Sequence, residues 1–339
     1  MSNIKGIQMI GTQRSGSNLL RVMLDGVGCI FAPHPPHILQ RFIPLLPKYG
    51  DLTNEQNFQR LAADVCELVR INPVPWEGVN LDTAQITSQC RAHTLFELFR
   101  VIYEEGARQR HADFWLNKSM KNAFFIDGIE NTGVHPFYLY LHRDGRDVAL
   151  SFSKAIVGEK HVYNIAKNWK KDQEEALRLK AHIPADRFIS VAYETLIANP
   201  EATLRTICDK LGVPYSDQCL NYYKSSESAH TATAGKMWQN VSRPIMKDNT
   251  KKFLREMTPE QIAIFESVAG DTLQKLGYEL VTPAEKLRDS FTEEEITRFE
   301  AENEQLKKIF RNQQADPDDL EKRRPQDELI ARIKNYTVN

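Results

Sequence analysis

The sequence lacks most features of secreted, membrane-spanning and nucleic-acid-binding proteins. Its 339 residues include only five cysteines, none in a Cys-x-x-Cys pair, which argues against a disulfide framework and is typical of a reducing compartment. No uncharged apolar run approaches the ~18 residues of a membrane span, and the N-terminus has no signal-peptide core. Lysine and arginine total 44 against 45 acidic residues, so no basic field favours nucleic acid. We therefore expect a cytoplasmic protein with no transmembrane segment and no nucleic-acid partner.

What is present is the composition of a globular protein. Hydrophobic residues make up 41% of the chain and charged residues 26%, which separates it from disordered proteins. The length suits two domains of about 150 residues or one larger α/β domain. A short apolar run over residues 6–10 precedes a glycine-containing loop and an apolar helical pattern over 19–24. This order is typical of the start of a βαβ unit.

Further apolar runs of strand length follow along the chain, at residues 114–116, 137–142 and 187–193. Predicted helices separate them. Strands that alternate with helices favour a parallel sheet whose two faces are both covered. The predicted fold class is therefore α/β, with a parallel β-sheet flanked by helices.

Three stretches depart from this alternation. Residues 31–113 contain helical patterns between proline-rich loops, and we expect a helical insert that forms a wall over the sheet. Residues 228–250 are polar and lack periodicity, which predicts a long loop. From residue 283 acids and bases alternate and aromatic residues become sparse. We therefore predict one domain over 1–282 and a charged helical C-terminal tail over 283–339.

The loop after the first strand has the spacing of a phosphate-binding loop. Gly11 and Gly16 enclose four residues, and the backbone N–H groups that follow at a helix start can bind an anion. Ser17-Asn18 occupies the place where a P-loop nucleotidase needs lysine and then serine or threonine. The cation of this loop is instead Arg14. The alternative is an ordinary strand-to-helix turn.

A second motif follows the apolar run at 137–142. Arg143 stands at its end, and Ser151 lies eight residues later on the next predicted helix. A guanidinium at the carboxyl end of a strand and a hydroxyl on the following helix can bind one phosphate together. With the first loop, the chain would offer two anion sites. One nucleotide that carries phosphate groups at both ends would occupy both.

These two segments resemble motifs of the PAPS-dependent sulfotransferases. GTQRSGSNLL is similar to the family's 5′-phosphosulfate loop, and LHRDGRDVALSFSK is similar to its 3′-phosphate motif. The resemblance extends over about residues 5–280 and implies a P-loop-like sulfotransferase fold of the bacterial type. It also implies PAPS (3′-phosphoadenosine 5′-phosphosulfate) as the sulfuryl donor and PAP as the product.

The resemblance implies a role for each donor-binding residue. The loop residues surround the 5′-phosphosulfate, Arg143 and Ser151 hold the 3′-phosphate, Tyr193 lies near the adenine, and a late basic loop closes over the 3′-phosphate. The implied set is Arg14, Ser15, Gly16, Ser17, Asn18, Arg143, Ser151, Tyr193, Lys247, Lys251 and Lys252. Leu19 replaces the aromatic residue that follows the family's first loop, so adenine stacking must come from another residue.

The implied catalytic residues are two cations and a base, which in this family is histidine or glutamate. Lys118 and Arg14 would neutralise charge that develops on the bridging oxygen of the leaving nucleotide. The base is predicted to be His34 or His37, because histidine has an ordinary pKa of about 6.5; His34 matches the family's position after the first helix more closely. The alternative is that both are polar loop residues. No metal-ligand set is visible, so no metal is expected.

The predicted reaction moves a sulfuryl group from PAPS to a hydroxyl group of a small-molecule or lipid-like acceptor. Aromatic residues in the insert allow an alcohol, a phenol or a lipid, and the sequence does not indicate an oligomeric state. A P-loop kinase or nucleotidase is one alternative. A non-catalytic nucleotide-binding protein is another.

Overall fold

A five-stranded parallel sheet lies at the centre of the computed structural model, which describes residues 4–314 and 317–337. Its strands are β1 (Lys5–Gly11), β2 (Ile30–Phe31), β3 (Phe114–Asn117), β4 (Phe137–His142) and β5 (Phe188–Ala192). They pair in the order β2-β3-β1-β4-β5, and every neighbouring pair is parallel. The predicted fold class is confirmed. The two-residue strand β2 escapes prediction because so short a run has no periodicity.

Helices surround the sheet. They are α1 (Ser17–Asp25), α2 (Ile38–Phe42), α3 (Glu55–Arg70), α4 (Thr83–Ser88), α5 (Leu95–Gln109), α6 (Ile126–Glu130), α7 (Gly145–Ser153), α8 (Val162–His182), α9 (Tyr193–Ala198), α10 (Pro200–Leu211), α11 (Ser226–Thr233), α12 (Phe253–Glu256), α13 (Pro259–Lys275), α14 (Glu293–Gln314) and α15 (Pro317–Lys334). Short 3₁₀ helices span Ile43–Tyr49, Met120–Phe125, Ala185–Arg187, Asp217–Lys224, Lys236–Ser242 and Ala284–Lys286.

Local sequence sets where the insert helices begin and which face they bury. Thr94 caps α5 by accepting a hydrogen bond from the Glu97 amide at 3.1 Å, and Asn54 caps α3 by accepting one from the Gln56 amide at 2.9 Å. Such side-chain oxygens satisfy N–H groups that have no partner inside the helix. Apolar residues at helical spacing then face the core; in α3 they are Phe58, Leu61, Val65 and Leu68.

The strands are buried on both faces, which explains their continuous apolar runs. Every residue of β1 after Lys5 is buried. On one side, Trp115 packs in a core with residues of α3 and α5. On the other side, Leu139 packs in a core with residues of α1 and α10.

The order of the strands brings the two sequence motifs to one edge of the sheet. β1 and β4 are neighbours, but the chain leaves β1 towards β2 at one edge and leaves β4 towards β5 at the other. In open parallel sheets such a switch point creates a crevice at the carboxyl ends of the strands. The loops after Gly11 and after His142 both begin there.

The predicted loop over 228–250 is wrong in its first part. α11 extends to Thr233, and a 3₁₀ helix follows over Lys236–Ser242. The side chain of Ser225 caps α11 by accepting a hydrogen bond from the Ser228 amide at 3.1 Å. These helices escape prediction because their stability depends on contacts with other elements rather than on apolar periodicity.

The two helices of the predicted tail pack on the rest of the chain. In α14, Asn303 accepts hydrogen bonds from the amides of Lys160 at 2.8 Å and His161 at 3.0 Å. In α15, Leu329 and Ile333 are buried in the core that α3 also lines. The domain boundary at residue 283 stays a prediction.

Candidate active site

A cleft of about 940 Å³ opens at the carboxyl ends of β1 and β4. Most of the residues that the sequence predicts for the site line this cleft. They are Arg14, Gly16, Ser17, Asn18, His37, Lys118, Arg143, Ser151, Tyr193 and Lys252. Ser15, His34, Lys247 and Lys251 are not among the lining residues. The fold therefore gathers residues from positions 14 to 252 into one site.

The loop after β1 is shaped to approach an anion closely. Gly16 has a φ of 88°, and a Cβ at this position would lie 2.4 Å from the Tyr193 ring, so only glycine fits. No described side chain caps the start of α1 at Ser17, which leaves its first backbone N–H groups available to an anion. The Ser15 hydroxyl is buried with no hydrogen-bond partner among the described residues.

Arg14 connects the two motifs. Its Nε donates to Ser151 Oγ at 3.0 Å, and its carbonyl accepts from Arg143 Nη1 at 3.2 Å. Arg14 has a φ of 70°, an uncommon conformation for a residue with a side chain. Burial, and then the charge of Arg143, lower the pKa of Arg14. Two guanidinium groups that line one cleft favour the binding of an anion.

The loop before α12 covers Arg143. Asn249 accepts a hydrogen bond from Arg143 Nη2 through its carbonyl at 2.8 Å, and its side chain donates to the Tyr193 hydroxyl at 2.8 Å. The Arg143 guanidinium lies 4.5 Å from the centre of the Tyr193 ring, and its Nε is buried without a partner among the described residues. Sequence reasoning missed Asn249 because it searched this segment for lysines.

Lys118 lies immediately after β3 and is 8% exposed. Burial, followed by the charges of Arg21 and Arg14, lowers the pKa of Lys118 to about 7. A lysine held beside other cations and away from water gives up its proton more easily than one in solution. An anion in the cleft would favour its charged form.

The two candidate histidines occupy different environments. His37 lines the cleft at the start of α2 with a φ of 60°, and burial, with the nearby Lys118, lowers its pKa to about 3. The His34 ring is buried, packs against Trp238 at 4.7 Å between ring centres, and has no hydrogen-bond partner among the described residues for either nitrogen. Burial lowers the His34 pKa as well. Its carbonyl accepts from the Trp76 indole at 2.9 Å.

Residues from the C-terminal part of the chain complete the cleft. Trp238 lines it from a 3₁₀ helix, and Asp319 and Arg323 line it from α15. Sequence reasoning missed both α15 residues because it placed them in a charged C-terminal tail outside the domain. No local pattern marks them, since their place in the site depends on how α15 packs.

The described parts of the chain contain neither a candidate membrane span nor a cluster of metal ligands. No helix within 4–314 or 317–337 is both long and apolar enough to cross a membrane. Over the same ranges, no three or more histidine, cysteine, aspartate or glutamate side chains come together as a metal site. The expected independence of metal stays a prediction.

A profile described as the sulfotransferase family matches residues 6–217. This range contains the phosphate-type loop after β1 and the Arg143–Ser151 motif after β4. The chain belongs to the sulfotransferase family. The matched range ends before Trp238, Asn249 and the whole of α15, so these parts of the cleft lie outside it.

Individual sulfotransferases are similar over most of this chain. Protein-tyrosine sulfotransferase A of Caenorhabditis elegans is 21% identical over 275 residues, which are 79% of this chain and 66% of that protein. The sulfotransferase domain of the Synechococcus olefin synthase has a TM-score of 0.53 at 23% identity, covering 78% of this chain and 94% of that one. The corresponding domain of the curacin biosynthetic pathway also gives 0.53, at 21% identity, covering 81% and 99%. The two solved structures share the fold.

Proposed function

We propose that this sulfotransferase transfers a sulfuryl group from PAPS to a hydroxyl group of a small-molecule or lipid-like acceptor. The observation that carries the proposal is the meeting of the two sequence motifs in one cleft through Arg14, which contacts both Ser151 and Arg143. A donor with anionic groups at its 5′ and 3′ positions matches two such sites. The family membership supports the same reaction class.

Groups without partners at both ends of the site fit this donor. The Ser15 hydroxyl and the Arg143 Nε are buried without partners among the described residues, and unpaired buried polar groups are costly unless a ligand satisfies them. Arg14, Ser15, Gly16, Ser17 and Asn18 would hold the 5′-phosphosulfate, and Arg143 and Ser151 would hold the 3′-phosphate. Tyr193 would contact the adenine, and its ring lies so near the loop that a Cβ at Gly16 would come within 2.4 Å of it.

Lys252 is the lysine of the late basic loop that lines the cleft, so we propose it as the one that closes over the 3′-phosphate. Lys247 and Lys251 stay predictions. The φ of 53° at Lys251 belongs to the turn that leads into α12, and the Phe253 amide at the start of that helix donates to Asp147 at 3.0 Å.

PAPS supplies the activated sulfuryl group and the PAP leaving group. Lys118 and Arg14 would stabilise the negative charge that appears on the bridging oxygen as the bond to sulfur breaks. Lys118 suits this role because it is buried and its position after β3 is set by the sheet. Preorganised cations in a site with little water stabilise a transition state more than solvated ones do.

His37 is the histidine that we propose as the base, with His34 as the second candidate. His37 lines the cleft, whereas the His34 ring is buried behind Trp238. Burial and the charge of Lys118 lower the His37 pKa, so its ring is neutral at pH 7 and can accept the acceptor's proton. A bound anionic donor would raise that pKa and strengthen the base.

The two rival functions require a different set of residues in this cleft. A P-loop kinase or nucleotidase needs a lysine and then a hydroxyl residue after the loop, whereas Ser17 and Asn18 stand there and the loop cation Arg14 contacts Ser151. In a non-catalytic nucleotide-binding protein, function would not require Lys118 or His37. The five cysteines are free thiols, which supports our proposal of a reducing compartment such as the cytoplasm.

Calorimetry with PAP and ADP tests the donor. PAP carries the 3′-phosphate that Arg143 and Ser151 would hold, and ADP does not, so PAP should bind at least about 10-fold more tightly. Equal binding of PAP and ADP contradicts the proposal. A screen of hydroxyl compounds with isotope-labelled PAPS, read by mass spectrometry, then identifies acceptors.

A further inference from the structure

The position of α15 against the cleft is set by contacts between the second half of the helix and α3. Gln326 donates to the carbonyl of Leu68 at 3.1 Å, and Arg332 forms an ion pair with Asp64 at 3.0 Å. Ile333 is fully buried in the core. The first turns of the helix, which carry Arg323, are therefore held at the cleft by the packing of the last turns.

Arg323 places its guanidinium group in the cleft. Its Cζ lies 5.2 Å from the centre of the Trp238 ring. Its Nη2 is buried with no hydrogen-bond partner among the described residues. A buried guanidinium nitrogen without an acceptor is costly unless an anion binds it. The ring contact orients the guanidinium plane without satisfying its N–H groups.

Trp238 links Arg323 to the candidate bases. Its ring packs against the His34 ring at 4.7 Å between ring centres and lies 5.2 Å from the Arg323 Cζ. His37 lines the same cleft, and the charge of Arg323 is among those that lower the pKa of His37. A group bound to Arg323 would therefore lie beside the candidate bases, where the body of the acceptor must extend.

We propose that Arg323 binds a carboxylate carried by the hydroxyl acceptor, so that the preferred acceptors are hydroxy acids; this inference rests on the proposed function. The planar guanidinium matches the two oxygens of a carboxylate. Asp319 lies one helical turn earlier in α15 and lines the same cleft. Its negative charge disfavours a doubly charged phosphate ester more than a singly charged carboxylate.

A paired panel of acceptors tests the charge preference. Hydroxy carboxylates of increasing chain length are each compared with their own methyl esters, in sulfation assays with labelled PAPS and in calorimetric titrations of the PAP-saturated protein. In the parent protein at least one acid should exceed its ester about 10- to 100-fold in kcat/KM or affinity. Arg323→Ala should lose this preference, and Arg323→Lys should keep part of it.

Arg324→Ala is the matched control, because Arg324 is the next residue of the same helix and pairs with Glu321 and Glu328 on the surface. It should behave as the parent. The PAP affinity should be unchanged in all three variants. The proposal is overturned if no acid binds the PAP-saturated parent, if esters or phosphate esters are preferred, or if Arg323→Ala keeps the parent's preference. Failure of the parent to bind PAP would instead overturn the proposed function.

Discussion

Removal of the Arg143 side chain should abolish the protein's discrimination between nucleotides with and without a 3′-phosphate. In the structure Arg143 donates to two backbone carbonyls, of Arg14 and Asn249, and its Nε has no partner among the residues described. A phosphate that engages this guanidinium gains a charge-assisted interaction of about 1.5–3 kcal/mol. That free energy corresponds to about 10- to 150-fold in affinity.

The assay is a cycle of two proteins and two ligands, measured by calorimetry. PAP and AMP differ only in the 3′-phosphate, so the ratio of their affinities isolates the interaction of interest. The parent should prefer PAP by at least about 10-fold, and Arg143→Ala should bind the two nearly equally. The absolute affinity of AMP accounts for any displacement of Tyr193, since both ligands carry the same adenosine 5′-phosphate.

Two further variants complete this design. Arg143→Lys keeps the charge but loses the planar fork and the contact with the Tyr193 ring, so it should restore only part of the preference. Arg205→Ala removes an exposed arginine that pairs with Glu201 at 2.8 Å on α10 and should match the parent. If the ratio of PAP to AMP affinity is the same in the parent and in Arg143→Ala, Arg143 does not hold the 3′-phosphate and the assignment of that motif is wrong.

Three other predictions concern the rate and the fold. Lys118→Ala should lower kcat more than it weakens PAP binding, because the charge of Lys118 acts mainly at the transition state. In the parent, kcat/KM should fall as pH rises above about 7, where free Lys118 loses its proton. Lys118→Arg should move this fall in kcat/KM to higher pH. His37→Ala should lose about 10²–10⁴-fold in kcat while still binding PAP, and His34→Ala should lose much less; the reverse order would make His34 the base. Ile333→Ala should lower the free energy of unfolding by about 2–5 kcal/mol, measured by denaturant titration, because this α15 residue is fully buried; a change near zero would mean that α15 folds apart from the core.

The histidines show why the pH profile could not be read from residue type. A histidine base with its ordinary pKa would make the rate fall through about pH 6.5 on the acid side. Burial and the charges of Lys118, Arg41 and Arg323 lower the His37 pKa to about 3. We therefore expect kcat/KM to stay high well below the ordinary histidine pKa of about 6.5. Only the packing of distant elements brings these cations to one ring.

The sequence by itself determined the α/β class and located the two motifs that we propose to bind anions. Each motif is a short connection from a strand to a helix, and its spacing alone places glycine, arginine or serine beside the first helical N–H groups. Lys118 was named only because the strand end that carries it resembles that of the sulfotransferases. Neighbours along the chain decide these features.

Only the tertiary structure decided which residues the two motifs contact and which distant residues complete the cleft. The contact of Arg14 with Ser151, the cover that Asn249 forms over Arg143, and the approach of Arg323 to the histidines all join residues more than 100 positions apart. Such contacts depend on strand order and on helix packing, to which many weak interactions contribute. No local pattern encodes them, because the same charged helix would read identically whether it faced solvent or the active site.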